Sequence, residues 1–300
     1  MKVAFDPYML RESPIEDVVR TTNELGYSWI ELTPREDMLP YYGRPRLDAD
    51  GIARVKRALT DGGIGLASLM VLYNWSDPDE QGRMAAVGYW KRAVEIAVEL
   101  GCEVINTEFS GDPAHPVECE ASFWRSLDEL LPLFEKEGIR IDIEPHPGDF
   151  VEVNGPAVDM VRGVGSDNFR YLYCAPHTFH LGDDAAEMVA YAAPVLSHVH
   201  VADSYNHKAS SGFRYILNPA DSTTRVHQHN VIGVGDVGWD GFFRALADAE
   251  FDGILTSCVL GWEDQAMERS AEMKEILDRR LAGAGFSARI EDFDQTEGKQ

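Results

Sequence analysis

Short apolar runs alternate along this chain with longer stretches whose apolar residues return every three to four positions. The runs KVAFDP (2–7), WIELTP (29–34), GLASLMVL (65–72), CEVINTEF (102–109), RIDIEPH (140–146), YLYCAPH (171–177), SHVHVAD (197–203) and GILTSCVL (253–260) read as buried strands. IEDVVRTTNELG, GIARVKRALTDGG, GRMAAVGYWKRAVEIAVELG, FWRSLDELLPLFEKEG and GWDGFFRALADAE carry the helical period, and several end on a glycine suited to a left-handed cap. Eight strand-then-helix units in 300 residues predict an α/β fold, a (β/α)8 TIM barrel as one domain over residues 1–285. A doubly wound open sheet is the alternative, because periodicity does not show closure. In a barrel the chemistry lies at the C-terminal ends of the strands. The long polar stretch 204–228 reads as a lid or partner-binding loop after the seventh strand, and 286–300 as a charged, frayed tail.

Charge and composition narrow the function. A net charge of −24 repels nucleic acid and anionic membrane, and the chain has neither a Walker-type loop nor a dense basic patch. A neutral substrate assisted by a cation suits it better. No apolar run reaches the ~18 residues of a membrane span, and the start, MKVAFDPYML, has no secretion signal. Cys102, Cys119, Cys174 and Cys258 are scattered with no CxxC pair, which predicts a reduced, cytoplasmic protein with free thiols, not a disulfide framework or a thiolate zinc site.

Eight of the nine histidines fall between residues 146 and 229, at the ends of predicted strands five to seven and in the loop that follows. In a barrel those ends converge. Glu144 closes the apolar run RIDIE, where a carboxylate is costly to desolvate without a cationic partner. With His177 and His200 it makes a donor set for a divalent transition ion. His198 shares the face of His200 and reads as packing behind it, and His115 and His207 as loop residues. Asp142 is expected to face the helix layer or a partner.

These residues resemble the xylose-isomerase-like barrels, which include sugar isomerases, ketose 3-epimerases, inosose dehydratases and endonuclease-IV-type enzymes. In that resemblance Glu144 in DIEPH takes the strand-five ligand position, His177 in HTFH replaces an Asp and His180 keeps a His. His200 in HVHVAD takes the strand-seven position, and Cys258 stands where a strand-eight Glu is expected, with Glu263 just beyond. HQHNVIGVGDVGW (227–239) resembles the DRHxNIGxG pattern of the endonuclease branch, which adds His229 to the metal set and places His227 and His180 beside it. Within the superfamily, EPHPG after strand five resembles the larger subunit of bacterial C-glycoside deglycosidases. That resemblance implies a divalent cation, Mn2+ first with Zn2+, Co2+ or Fe2+ as alternatives, and a small β subunit as partner.

The chemistry implied is proton abstraction next to a sugar ketone. His146, two residues past Glu144, is the expected base. Asn106, Glu108, Asp203, Trp262 and Glu263 are expected to bind substrate or support ligands, and Tyr73, Trp75, Phe150 and Trp262 are candidates for stacking on a ring. The missing second carboxylate favours a carbon–carbon lyase on 3-oxo-C-glycosides; a ketose isomerase or epimerase and a non-catalytic metal-binding partner subunit are the alternatives.

Overall fold

The computed structural model describes residues 1–205, 228–260 and 263–294, without the side chains of His180 and Glu263. Its strands are β1 (Lys2–Phe5), β2 (Trp29–Leu32), β3 (Gly65–Met70), β4 (Val104–Glu108), β5 (Arg140–Glu144), β6 (Phe169–Cys174), β7 (Leu196–Val201) and β8 (Ile254–Ser257). They pair in parallel in chain order, and Lys2–Phe5 pairs with Ile254–Ser257, so the sheet closes on itself. Closure excludes the open-sheet alternative.

Around the barrel lie α1 (Ile15–Glu24), α2 (Ala49–Gly62), α3 (Glu80–Leu100), α4 (Pro116–Glu137), α5 (Asn154–Val164), the single turn α6 (Ala175–Thr178), α7 (Ala185–Ala192), α8 (Trp239–Asp248) and α9 (Ala266–Gly283). Local chemistry sets their ends. Asp48 and Asp79 accept backbone N–H groups at the starts of α2 and α3, and Gly63 and Gly101 close them in the left-handed conformation. None of the helices among the described residues is long and apolar enough to cross a membrane.

Two departures from the sequence pattern shape the mouth of the barrel. β6 stops at Cys174, and His177 sits in α6, because Pro176 lacks an N–H for the ladder and fits the first turn of a helix. β8 stops at Ser257, which leaves Cys258 just beyond the strand. At the opposite end, residues 286–294 pack against the barrel instead of fraying. Phe286 is buried, the Met1 ammonium meets Asp252 and Glu291 at 2.7 and 2.9 Å, and Phe293 contacts the Trp29 ring.

Candidate active site

The barrel interior carries two polar layers. In the lower one, Asp142 accepts hydrogen bonds from Arg140 (2.8 Å) and Ser197 (2.6 Å) and lies 3.4 Å from His198 Nδ1. His198 Nε2 lies 2.8 Å from Thr256 Oγ1 and 3.4 Å from Glu31 Oε2. Ser68 donates to Glu31 at 2.7 Å. Asp142 therefore faces inward, not toward the helix layer: it is two residues from Glu144 on the same strand and shares its face. Burial works against ionisation of Asp142, but Arg140 and His198 outweigh it and hold the carboxyl well below its usual range. Burial likewise keeps the His198 imidazole below its ordinary pKa.

One layer up, the central carboxylate is left unbonded. Glu144 is fully buried, and neither of its carboxylate oxygens has a hydrogen-bond partner. Around it stand His177 Nδ1 at 3.2 Å, which pairs instead with the Pro145 carbonyl oxygen at 3.3 Å, and His200 Nδ1 at 3.6 Å, beyond bonding distance. His200 Nε2 faces Glu31 Oε1 at 3.2 Å and Asn106 Nδ2 at 3.4 Å. Burial opposes a charge on His200, yet Glu31 and Glu144 hold it protonated well above the usual imidazole range. Burial pushes the Glu144 carboxyl far up, against the pull of His200. A buried carboxylate with both oxygens unbonded and imidazoles around it is the donor chemistry of a divalent-cation site. The residues present fit such an ion.

His229 joins this layer from a loop. Asp203 and Asn230 exchange backbone hydrogen bonds, and the Asp203 carboxylate accepts from the N–H groups of Ser204, Gly233 and Val237. Gly235 packs so closely that a Cβ there would lie 2.3 Å from the Ser204 carbonyl oxygen. This clamp presents His229, whose Nδ1 lies 2.9 Å from the Cys258 carbonyl oxygen. Its ring is 5.5 Å from that of His177. Asp203 thus acts on a histidine through the loop backbone, not by touching the ring.

The EPHPGD turn after β5 supplies a second flank. Asp149 accepts from the Ser110 N–H at 2.6 Å, and Ser110 accepts in return from the Phe150 N–H, which pins the turn to the end of β4. His146 then projects with Nε2 3.7 Å from Glu108 Oε1, its ring 4.6 Å from that of His177. Burial raises the Glu108 carboxyl to about 8, despite His200 nearby, so it holds its proton near neutrality. Burial also raises Asp149, with Glu108 adding to the effect.

These groups line a cavity of about 600 Å³ at the mouth. Its polar lining includes Asp6, Glu108, His146, His177, His200 and His229, and Tyr8, Tyr41, Tyr42, Met70, Leu72 and Leu260 also line it. Three of the four aromatic residues expected here lie elsewhere. Tyr73 and Trp75 are buried in a cluster with Trp90, and Phe150 packs on Phe109 and Phe123. His227 and Trp262 lie outside the described residues; His180 falls in the one-turn helix Phe179–Leu181, and Glu263 begins another, Glu263–Gln265.

Sequence reasoning missed Glu31, Asp6 and Cys174. Glu31 carries the signal that revealed Glu144, a carboxylate inside an apolar run. Asp6 ends the first run in the same way, and burial, with Glu31 adding, raises its carboxyl well above the ordinary range. Cys174 and Cys258 come together across β7 with His200, and all three offer ligand atoms within 4.8 Å of one another. Spacing along the chain cannot show that meeting. Burial and a hydrogen bond with Cys258 raise the Cys174 thiol. Burial would raise Cys258 too, but Cys174, His229 and His200 overcome it and hold that thiol well below its usual value.

A closed eight-stranded barrel with an ion-binding donor set and a titratable flank at one mouth defines a (β/α)8 barrel with a candidate metal centre. The chain belongs to the xylose isomerase-like TIM barrel family, whose pattern matches residues 19–278. It is 25% identical over 250 residues to a fructoselysine 3-epimerase of Shigella flexneri, covering 81% of this chain and 84% of that protein. An inosose dehydratase of Clostridium perfringens is 26% identical over 137 residues, 44% of this chain and 46% of that protein. Among solved structures, a D-tagatose 3-epimerase-like protein superposes with a TM-score of 0.73 at 18% identity, over 96% of this chain and 100% of that one.

Proposed function

We propose that this protein is a cation-dependent enzyme that removes a proton next to the ketone of a sugar, as a sugar isomerase or epimerase does. The observation that carries the reading is the unbonded, buried Glu144 carboxylate among His177, His200 and His229, in one cavity with the His146–Glu108 pair. Those four residues would hold the cation. When bound, it supplies Lewis-acid polarisation of a carbonyl oxygen. The chain's own residues do the rest. His146 takes the proton from the carbon beside the ketone, and protonated Glu108, within reach of the same imidazole, returns one. Asn106 steadies His200. The epimerase relative, matched along most of its length, supports a carbohydrate substrate.

A second reading has its own support. His146 and Glu108 lie side by side, and Cys258 stands where a further carboxylate is expected from the resemblance. Adjacent acid and base suit proton removal followed by protonation of a leaving group, hence cleavage of the sugar–aryl bond of a 3-oxo-C-glycoside. The dehydratase relative is named for an elimination. One experiment separates the readings: incubate the metal-loaded protein in deuterated water with several ketoses and with a 3-oxo-C-glucoside, with and without a small companion subunit. Deuterium uptake without aglycone release supports isomerisation or epimerisation, aglycone release supports the lyase, and neither leaves a metal-binding partner subunit as the better account.

A further inference from the structure

The mouth of the barrel contains two sulfur atoms that the proposed function does not use. Cys174, at the end of β6, and Cys258, just past β8, are both buried, and neither is in a disulfide. Their sulfurs belong to two overlapping groups of closely spaced donors. Cys174, His200 and Cys258 form one; Cys174, His177 and His229 form the other. Cys174 is common to both, so the two groups adjoin at its sulfur.

The geometry points to a thiolate–imidazole metal centre in which Cys174 and Cys258 are ligands, and which takes Zn2+ in preference to Mn2+ or Mg2+. This rests on the proposed cation in the barrel mouth and specifies its donors. Three observations carry it. Thiolate is a soft donor, and soft donors select zinc over the harder manganese and magnesium ions, which prefer oxygen. The His229 ring is held by the Cys258 carbonyl at Nδ1, an outer contact of the kind that orients a ligating histidine. Charge balance agrees: Glu31 is paired with His200, and Glu144 with one thiolate offsets a dication. The other two cysteines serve as internal controls. Cys102 donates to the Val104 carbonyl and Cys119 lies beside Asp112, both away from this cluster.

The test is a titration of chelator-treated, full-length protein with Co2+, followed by displacement with Zn2+ and with Mn2+. One equivalent of Co2+ should give the near-ultraviolet sulfur-to-cobalt absorption of a thiolate complex. Zn2+ should abolish it at stoichiometric amounts, while Mn2+ should leave it in place at ~100-fold excess. Cys174→Ser and Cys258→Ser should each diminish the absorption and weaken Zn2+ binding by more than ~100-fold, a loss at or above that of an outer-contact residue. Cys119→Ser should change neither. Because a core cysteine variant can fail to fold, X-ray absorption at the zinc edge of the unaltered protein gives an independent count, with sulfur neighbours expected at about 2.3 Å. A bound ion with only nitrogen and oxygen neighbours overturns the thiolate ligation and leaves the proposed function standing. Failure to bind any ion stoichiometrically overturns both.

Discussion

The two polar layers of the barrel interior are built from the same residue types and are satisfied to different degrees. In the lower layer Asp142, His198, Glu31, Ser68 and Thr256 each have a hydrogen bond, among themselves or with Arg140, although Glu31 Oε1 and His198 Nδ1 are left without one. One layer higher, Glu144 and Glu108 sit at the same register on neighbouring strands, and burial raises both carboxyls. Buried polar groups are ordinarily satisfied, and a cluster that is not marks a place where a ligand completes the structure. Under the proposed function the lower layer supports and the upper layer carries the chemistry. Glu31, His198 and His200 join the two, with ligand atoms within 4.8 Å of one another.

The largest effect is expected from the upper layer. Glu144→Gln removes the buried anion and should abolish stoichiometric ion binding, with turnover falling by at least ~10³-fold; elemental analysis and a kinetic assay check both. His146→Ala should lower turnover by ~10²–10⁴-fold while the ion stays bound, and full activity in that variant removes the base assignment. In the lower layer, Asp142→Asn strips the charged partner from half-buried Arg140 and buried His198 and should cost roughly 3–5 kcal/mol of stability in denaturant unfolding. Ion stoichiometry should not change, and a loss of the ion would erase the distinction between the layers.

The smallest effect sharpens the comparison most, because the layers should respond to pH in opposite directions. Burial opposes ionisation of Glu31, but His200 and His198 bring its carboxyl down to about 2. Its contribution is therefore complete above the ordinary carboxyl value and is lost as pH falls toward 2. Glu108 has the opposite sign. Raised to about 8, it favours the folded state at low pH and loses that contribution as pH rises from its ordinary value through 8. Unfolding of the cation-free protein across this range should show Glu31→Gln flattening the acid limb and Glu108→Gln flattening the limb toward pH 8.

Much of this was legible in the chain. The alternation of apolar runs and periodic stretches located all eight strands, and Glu144 and His200 were visible as charged residues inside apolar runs. Glu31 carried the same mark and was passed over, since no histidine lies near it in sequence. Tyr8, Tyr41 and Tyr42 were hidden for another reason: loops early in the chain bring them to the cavity, and no periodicity describes loops. Tyr73 and Trp75 misled because an aromatic residue near a strand end packs inward or outward according to neighbours that the sequence does not reveal.

The sequence by itself determined the secondary structure, the eight-unit order and the presence of an acid-and-histidine residue set, because each depends on residues close together along the chain. Only the tertiary structure decided that the sheet closes, that Cys174 and Cys258 meet, and that Asp142 finds partners where Glu144 finds none. Those facts depend on which strands become neighbours and on which buried charges find a partner, and closure of the barrel settles both at once.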